Sequence, residues 1–242
     1  VIDDSSGWSL SDPNATHHIW TNGNATINVD LTVDNFTVNT VAYNVVQGTA
    51  GVDAALAGTG ATDLILGLAG ADTINSIASN DIAHGGNDND TLNASGTAMI
   101  LIGGAGDDTL AISSTTIGAN NTFTGGSGTD TLDLSNVTEA LTVNLAGQDY
   151  SAASGSGTDT ITGIENIIGG TQGDSLTGDS NANTLTGGGG TDTLIGGDGN
   201  DVYVVETTDD IVTEVTGEGD DIVRVDSSFT SSAFTVSNLS NI

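Results

Sequence analysis

The sequence predicts an all-β chain: a right-handed parallel β-roll (a β-solenoid) with an N-terminal β cap. Three observations carry that expectation. Glycine supplies 35 of 242 residues, and the glycines fall in register. Single apolar residues recur at one phase of the same register. Asp plus Glu number 32 against one basic residue, Arg224, and the aspartates recur at a nine-residue spacing.

The period comes first, because a fixed repeat decides the architecture. Four windows fit Gly-Gly-x-Gly-x-Asp-x-apolar-x throughout: 103–111 (GGAGDDTLA), 125–133 (GGSGTDTLD), 187–195 (GGGGTDTLI) and 196–204 (GGDGNDVYV). Windows 67–75, 85–93 and 169–177 each lose one glycine, and 58–66, 76–84 and 178–186 keep phase more weakly. Asp63, Asp72, Asp81 and Asp90 are spaced by nine, as are Asn183, Asp192, Asp201 and Asp210. The first six residues of a repeat read as a turn, where glycine supplies positive φ and close backbone approach. The last three read as a short strand. Its apolar residue (Leu92, Leu110, Leu132, Leu176, Leu185, Leu194 or Tyr203) points inward, and its neighbours point out. One nonapeptide is half a coil, so about eighteen residues close a turn of the solenoid and coils stack as parallel strands about 4.8 Å apart. Stacking supplies a core that no single repeat can make.

Taken in order, residues 1–47 are expected to form the cap or a strand-rich module. Ile27, Val29, Leu31 and Val33 alternate, followed by Phe36, Val38, Val41, Tyr43 and Val45. Residues 48–133 form the first repeat block. Met99 stands where an aspartate belongs, so apolar stacking is expected there in place of a metal. Asp108 and Asp130 are 22 apart, and Gly118-Ala119-Asn120-Asn121 marks a loop that absorbs the excess. Residues 134–168 break phase and are expected to continue the solenoid as an irregular connector with longer coils. Residues 169–224 form the second block, and 225–242 a C-terminal strand segment at which the chain is truncated or assembles with another copy.

Composition excludes several functions. A formal charge of −31 opposes nucleic acid and anionic lipid, so neither nucleic-acid binding nor membrane insertion is expected. Cysteine is absent, which removes disulfides and thiolate sites. No Lys is present, which removes a P-loop. The opening Val1-Ile2-Asp3-Asp4 has neither basic nor apolar leader character. Export is therefore expected to rest on a removed leader, a signal elsewhere, or a longer parent chain.

Carboxylates in regular array without bases call for an outside cation. Calcium takes six to eight hard oxygen ligands, and a turn offers one Asp carboxylate and several glycine carbonyls. The turn one coil away offers the same. The expected metal ligands are Asp72, Asp90, Asp108, Asp130, Asp192 and Asp201, then Asp63, Asp81 and Asp174. Backbone ligands are expected from Gly67, Gly70, Gly85, Gly86, Gly103, Gly104, Gly106, Gly125, Gly126, Gly128, Gly169, Gly170, Gly187, Gly188, Gly190, Gly196, Gly197 and Gly199. Asp210 and Asp221 are weaker candidates, because their turns lack most glycines. An isolated Asp in a turn is ordinarily just solvated; the phase argues against that here.

On these windows the chain resembles the RTX family of calcium-binding nonapeptide repeats, over roughly 48–133 and 155–224. The resemblance implies a parallel β-roll, several calcium ions between stacked turns, and a bacterial parent secreted by a type I system. The run from Gly103 to Leu134 is similar to RTX-containing surface-layer proteins, and the connector to those of large RTX adhesins and exoproteins. The expected function is an extracellular structural module (surface layer, matrix filament or adhesin) that folds on binding calcium. Its expected partners are calcium, copies of itself, and cell-surface or matrix components. The alternative is a C-terminal folding and secretion module of an exoenzyme. A third reading gives the N-terminal β region a sugar or protein ligand.

No catalytic site is expected. His17 and His18 are adjacent and would face opposite ways on a strand, and His84 is expected to be exposed. The carboxylates are accounted for by the repeat, so nothing marks a glycosidase pair. Asp12-Pro13 resembles the calcium-triggered cleavage dipeptide of some RTX exoproteins, on one dipeptide alone.

Overall fold

The computed structural model describes residues 9–10, 17–22, 25–30, 35–38, 41–60, 62–152, 159–214 and 219–226. Side chains are described for 43–60, 62–148, 159–214 and 219–226. Every regular element among them is a strand, and no described helix is long and apolar enough to cross a membrane.

The chain alternates between two sheets, as a nine-residue half-coil requires. Thr91–Ala94 lies in parallel between Thr73–Ile77 and Thr109–Ile112 in one sheet. Ile100–Ala105 lies in parallel between Ile82–Asn87 and Thr122–Ser127 in the other. The first sheet has nine strands and the second twelve. The surplus strands are Asn35–Val38, Leu141–Asn144 and Asp149–Ala152; the rest pair off as nine stacked coils. The architecture is the parallel β-solenoid that the repeat predicts.

The core is a pair of apolar columns, one from each sheet. In the nine-stranded sheet the register runs Leu56, Ile74, Leu92, Leu110, Leu132, Ile167, Leu185, Tyr203, Val223. In the other sheet Val46, Ile65, Ala83, Leu101, Phe123 and Ile161 continue one another, then Val143, Leu176, Leu194 and Val212. Leu92, Leu110, Leu132, Leu176, Leu185, Leu194 and Tyr203 are all fully buried. Each such leucine contributes about 1.5–3 kcal/mol of burial. That gain exists only because the neighbouring coil covers it.

Met99 is fully buried in the same core, so this coil holds its turn by apolar contact. The four extra residues leave the roll at 113–116 and not at the expected 118–121: Gly118 donates to the Gly96 carbonyl, Ala98 to that of Ala119, and Asn121 is buried, so 118–121 stack on the preceding coil, and Ile117 returns to the core. Two further local readings change. His84 is 6 % exposed rather than solvated, because Leu66 and Ile102 flank it in register on the outer face of its sheet. Where a longer coil is expected in the connector, an antiparallel meander is found. Leu141–Asn144 pairs with Asp149–Ala152, which pairs with Asp159–Thr162. Its ends rejoin the parallel ladder on Ser175–Thr177 and Thr122–Ser127.

At the N-terminal end, Ser9–Leu10, His17–Asn22 and Ala25–Asp30 form an antiparallel sheet. Asn35–Val38 and Val41–Gln47 form a hairpin. Val41–Gln47 also pairs in parallel with Asp63–Ala69, so the roll begins before residue 48. The side chains of 1–42 and 149–152, and residues 61, 153–158, 215–218 and 227–242, lie outside the described residues.

Candidate metal sites

The turn aspartates stack into two columns, one along each edge of the roll. In each column the backbone N–H of one aspartate donates to Oδ1 of the aspartate one coil on. Asp53 donates to Asp72 at 2.7 Å, Asp72 to Asp90 at 2.8 Å, Asp90 to Asp108 at 2.7 Å and Asp108 to Asp130 at 2.8 Å. The column continues from Asp130 to Glu165 Oε2 at 2.8 Å, and resumes from Asn183 to Asp201 and Asp201 to Asp221, both at 2.8 Å. On the opposite edge Asp63 donates to Asp81 at 2.9 Å, Met99 to Asn121 at 3.1 Å and Asn121 to Asp159 at 2.5 Å. Leu141 donates to Asp174, Asp174 to Asp192 and Asp192 to Asp210, at 2.8, 2.8 and 3.1 Å. The nine predicted aspartates are all buried, at 0–3 % exposure.

The second carboxylate oxygen divides the turns into two kinds. In one kind it accepts an N–H from the second residue of its own turn. Thr49 donates to Asp53, Thr59 to Asp63 and Gly170 to Asp174, at 2.6, 2.7 and 2.7 Å. Asp179 donates likewise to Asn183 at 2.8 Å, and Glu206 to Asp210 at 3.1 Å. Asp81 is closed in a similar way by Ala78 at 2.7 Å. In the other kind Oδ2 is buried and receives no hydrogen bond: Asp72, Asp90, Asp108, Asp130, Asp192 and Asp221. The first five of these have positive φ at the second turn residue: Leu68, Gly86, Gly104, Gly126 and Gly188. Positive φ there goes with an open carboxylate.

The glycines keep that place clear. A Cβ on Gly85 would lie 2.2 Å from Asp90 Oδ2, on Gly103 2.3 Å from Asp108 Oδ2, and on Gly125 2.5 Å from Asp130 Oδ2. A Cβ on Gly104 would lie 2.1 Å from the Gly86 carbonyl oxygen, and Gly104 has φ +125°. Side chains are thus excluded where carboxylate and carbonyl oxygens of successive coils converge. Where glycine is missing the backbone still complies. Asp88 takes φ +72° at the position of Gly106, a region that Asp tolerates.

Electrostatically these columns lack a counter-charge. Burial first, then neighbouring carboxylates, push Asp90, Asp130 and Asp192 up to about 7, against the pull of the backbone N–H bonds. Burial likewise raises Asp108 to about 6, with Asp107 adding to it. A buried carboxylate with an unmet oxygen is costly. A hard divalent cation removes that cost. The donor set is all oxygen, from carboxylates and turn carbonyls, which suits calcium and not a thiolate- or imidazole-seeking metal.

Sequence reasoning found the nine aspartates and their coil-to-coil pairing. It missed Asp53, Asn121, Asp159 and Glu165 as column members. Insertions shift three of these out of the nine-residue phase, and Glu165 replaces the expected Asp. It also missed Glu206 and Glu214, which stand where earlier coils have glycine. Their signal was the departure from consensus itself.

Comparison with known families gives a match to the RTX calcium-binding nonapeptide repeat (4 copies) at residues 44–74, 57–92, 100–111, 118–136 and 168–203. No curated protein matches the chain. The matched segments coincide with the stacked turns, and the unmatched connector holds the antiparallel meander.

Proposed function

The chain belongs to the RTX calcium-binding nonapeptide repeat family, and from that premise we propose that it is an extracellular structural module whose folding is driven by calcium. One observation carries the reading: a file of buried carboxylates, several with an unmet oxygen, in a protein with a single basic residue. At low calcium, mutual repulsion among 32 acidic residues favours an expanded chain. At extracellular calcium the ions bind the folded turns alone, so binding free energy becomes folding free energy. Extracellular calcium modules bind at roughly 10⁻⁴–10⁻³ M, the range in which such a switch operates on export.

The turns proposed to hold calcium are the open ones, at Asp72, Asp90, Asp108, Asp130 and Asp192, together with Asp201, whose turn has positive φ at Gly197. Asp63, Asp81 and Asp174 are proposed to act through the hydrogen bonds that close their turns. No enzymatic role is proposed, because the buried carboxylates of the described residues all lie in or against the two columns. The rigid roll then serves as a spacer or lattice element at a bacterial cell surface.

Calcium titration followed by far-ultraviolet circular dichroism tests this directly. A strand-poor spectrum in excess chelator should become strand-rich over micromolar to millimolar calcium. A spectrum already strand-rich in chelator, and unchanged by calcium, defeats the proposal. Negative-stain microscopy in calcium tests the lattice role: ordered fibres or sheets support it, and isolated monomers count against it.

A further inference from the structure

The last coils carry acidic residues that the repeat does not call for. Ile195 pairs with Thr213, so Glu214 takes the place that Gly196 has one coil earlier. Val204 pairs with Thr186, so Glu206 takes the place of Gly188. The place of Gly196 is glycine in all the open turns of the earlier coils, and the place of Gly188 is glycine in all of them but that of Asp72, which has Leu68. Here each place projects a carboxylate into the column.

The result is two clusters of three carboxylates, each with ligand atoms within 4.8 Å of one another: Asp201, Glu214 and Asp221 on one edge, and Asp192, Glu206 and Asp210 on the other. In the first cluster all three residues are buried, at 0, 6 and 6 % exposure. Two further observations point to a ligand. Asp221 Oδ2 is buried without a hydrogen bond, and so is the hydroxyl of Tyr203, itself fully buried. That hydroxyl sits beside the cluster: an ideal Cβ on Gly196 would lie 2.0 Å from Asp201 Oδ2 and 2.2 Å from Tyr203 Oη. A tyrosine at a position held by leucine in the neighbouring coil thus brings an oxygen to the carboxylates. In the second cluster Asp192 Oδ2 is buried and receives no hydrogen bond. Glu206 Oε2 accepts the Gly188 N–H at 3.1 Å and is held in the column.

We propose that Asp201, Glu214 and Asp221, with the Tyr203 hydroxyl, form a hard-cation site of a second kind, in which a glutamate carboxylate replaces the glycine-turn carbonyls. Asp192, Glu206 and Asp210 form its counterpart, in which Asp192 Oδ2 is the open oxygen and Asp210 keeps the hydrogen bonds that close its own turn. Three carboxylates around one ion give more negative charge than a pair of glycine turns. These sites therefore take calcium more tightly than the rest of the roll, and favour a trivalent lanthanide further. The proposal rests on the calcium reading of the repeats and changes the ligand set at the last two of its turns, those of Asp192 and Asp201.

The test uses the full chain, with calcium alone and with terbium alone as probes. Calcium stoichiometry is measured by equilibrium dialysis, affinity by calorimetry, and terbium emission by excitation of tyrosine. Wild-type protein should show a tight class of ions filling before the rest. E214Q should lose one tight ion, with affinity at that site falling about tenfold or more, and E206Q should lose the other. Y203F, which removes only a hydroxyl, should dim the sensitised terbium emission while the roll still forms in calcium. Wild-type stoichiometry and affinities in E214Q and E206Q, together with undimmed emission in Y203F, overturn the proposal. A wild-type chain that binds no calcium at all overturns the calcium reading itself, a distinguishable result.

Discussion

The backbone N–H of Asp72 donates to Oδ1 of Asp90 at 2.8 Å, eighteen residues further along the chain. One carboxylate oxygen is thereby spent on joining two coils, and the other is buried and receives no hydrogen bond. The two oxygens of one side chain therefore have separable roles.

Substitution at Asp90 separates them. D90N keeps an oxygen for the Asp72 N–H and removes the charge. Calcium affinity should fall at the two levels that Asp90 joins, with little loss of calcium-free stability. D90A also strands the buried N–H, at a further cost of about 1–3 kcal/mol. Calcium titrations with thermal melts distinguish the pair. Equal behaviour of D90N and D90A would show that the Oδ1 bond contributes nothing.

The open and closed turns should respond differently to loss of charge. Asp63 Oδ2 accepts the Thr59 N–H at 2.7 Å, and its Oδ1 accepts the Thr59 hydroxyl at 2.8 Å. D63N should leave the number of bound calcium ions unchanged, whereas D108N should lower it. A calcium count per folded chain for each variant decides the matter.

Acid should act partly in place of calcium. Asp90, Asp130 and Asp192 are raised to about 7, and Asp108 to about 6, from an ordinary value of 3.8. A group raised in the folded state contributes stability that is fully present below its ordinary value and is lost as pH rises through its folded value. In chelator, strand content should thus be greater at about pH 5 than at about pH 8. With calcium present the order should invert, because protons compete for the same oxygens. Dichroism at both pH values, with and without calcium, reads this out; a chelated chain more ordered at pH 8 would refute it.

Backbone strain gives a prediction of each sign. Leu68 has φ +91° at the position where Gly86 and Gly104 have φ +129° and +125°. L68G should stabilise the calcium-loaded roll by about 1 kcal/mol through release of that strain. G104A should destabilise it by about 3 kcal/mol or more, since its Cβ would meet the Gly86 carbonyl at 2.1 Å. Denaturant unfolding in saturating calcium measures both.

Much of this molecule is written in local sequence. The repeat Gly-Gly-x-Gly-x-Asp-x-apolar-x sets the half-coil length, the inward leucines, the parallel stacking and the aspartate columns, because each is a property of a short segment copied along the chain. It also made Met99 legible as an apolar rung. Legibility failed where the period slips. Asn121, Asp159 and Glu165 join the columns across separations of 22, 38 and 35 residues, and no nine-residue window contains such a pairing.

The two oxygens of Asp90 mark the same boundary. The sequence by itself determined that this aspartate sits in a turn, behind glycines and in phase with Asp72 and Asp108. Only the tertiary structure decided that Oδ1 joins the coils while Oδ2 stays open, and that the corresponding Oδ2 of Asp63 and Asp174 is closed by its own turn. It alone carried the meander at 141–162 and brought Glu206 and Glu214 into the columns. Composition and period are local quantities, whereas the state of a buried carboxylate depends on which N–H groups and which charges the neighbouring coils place around it.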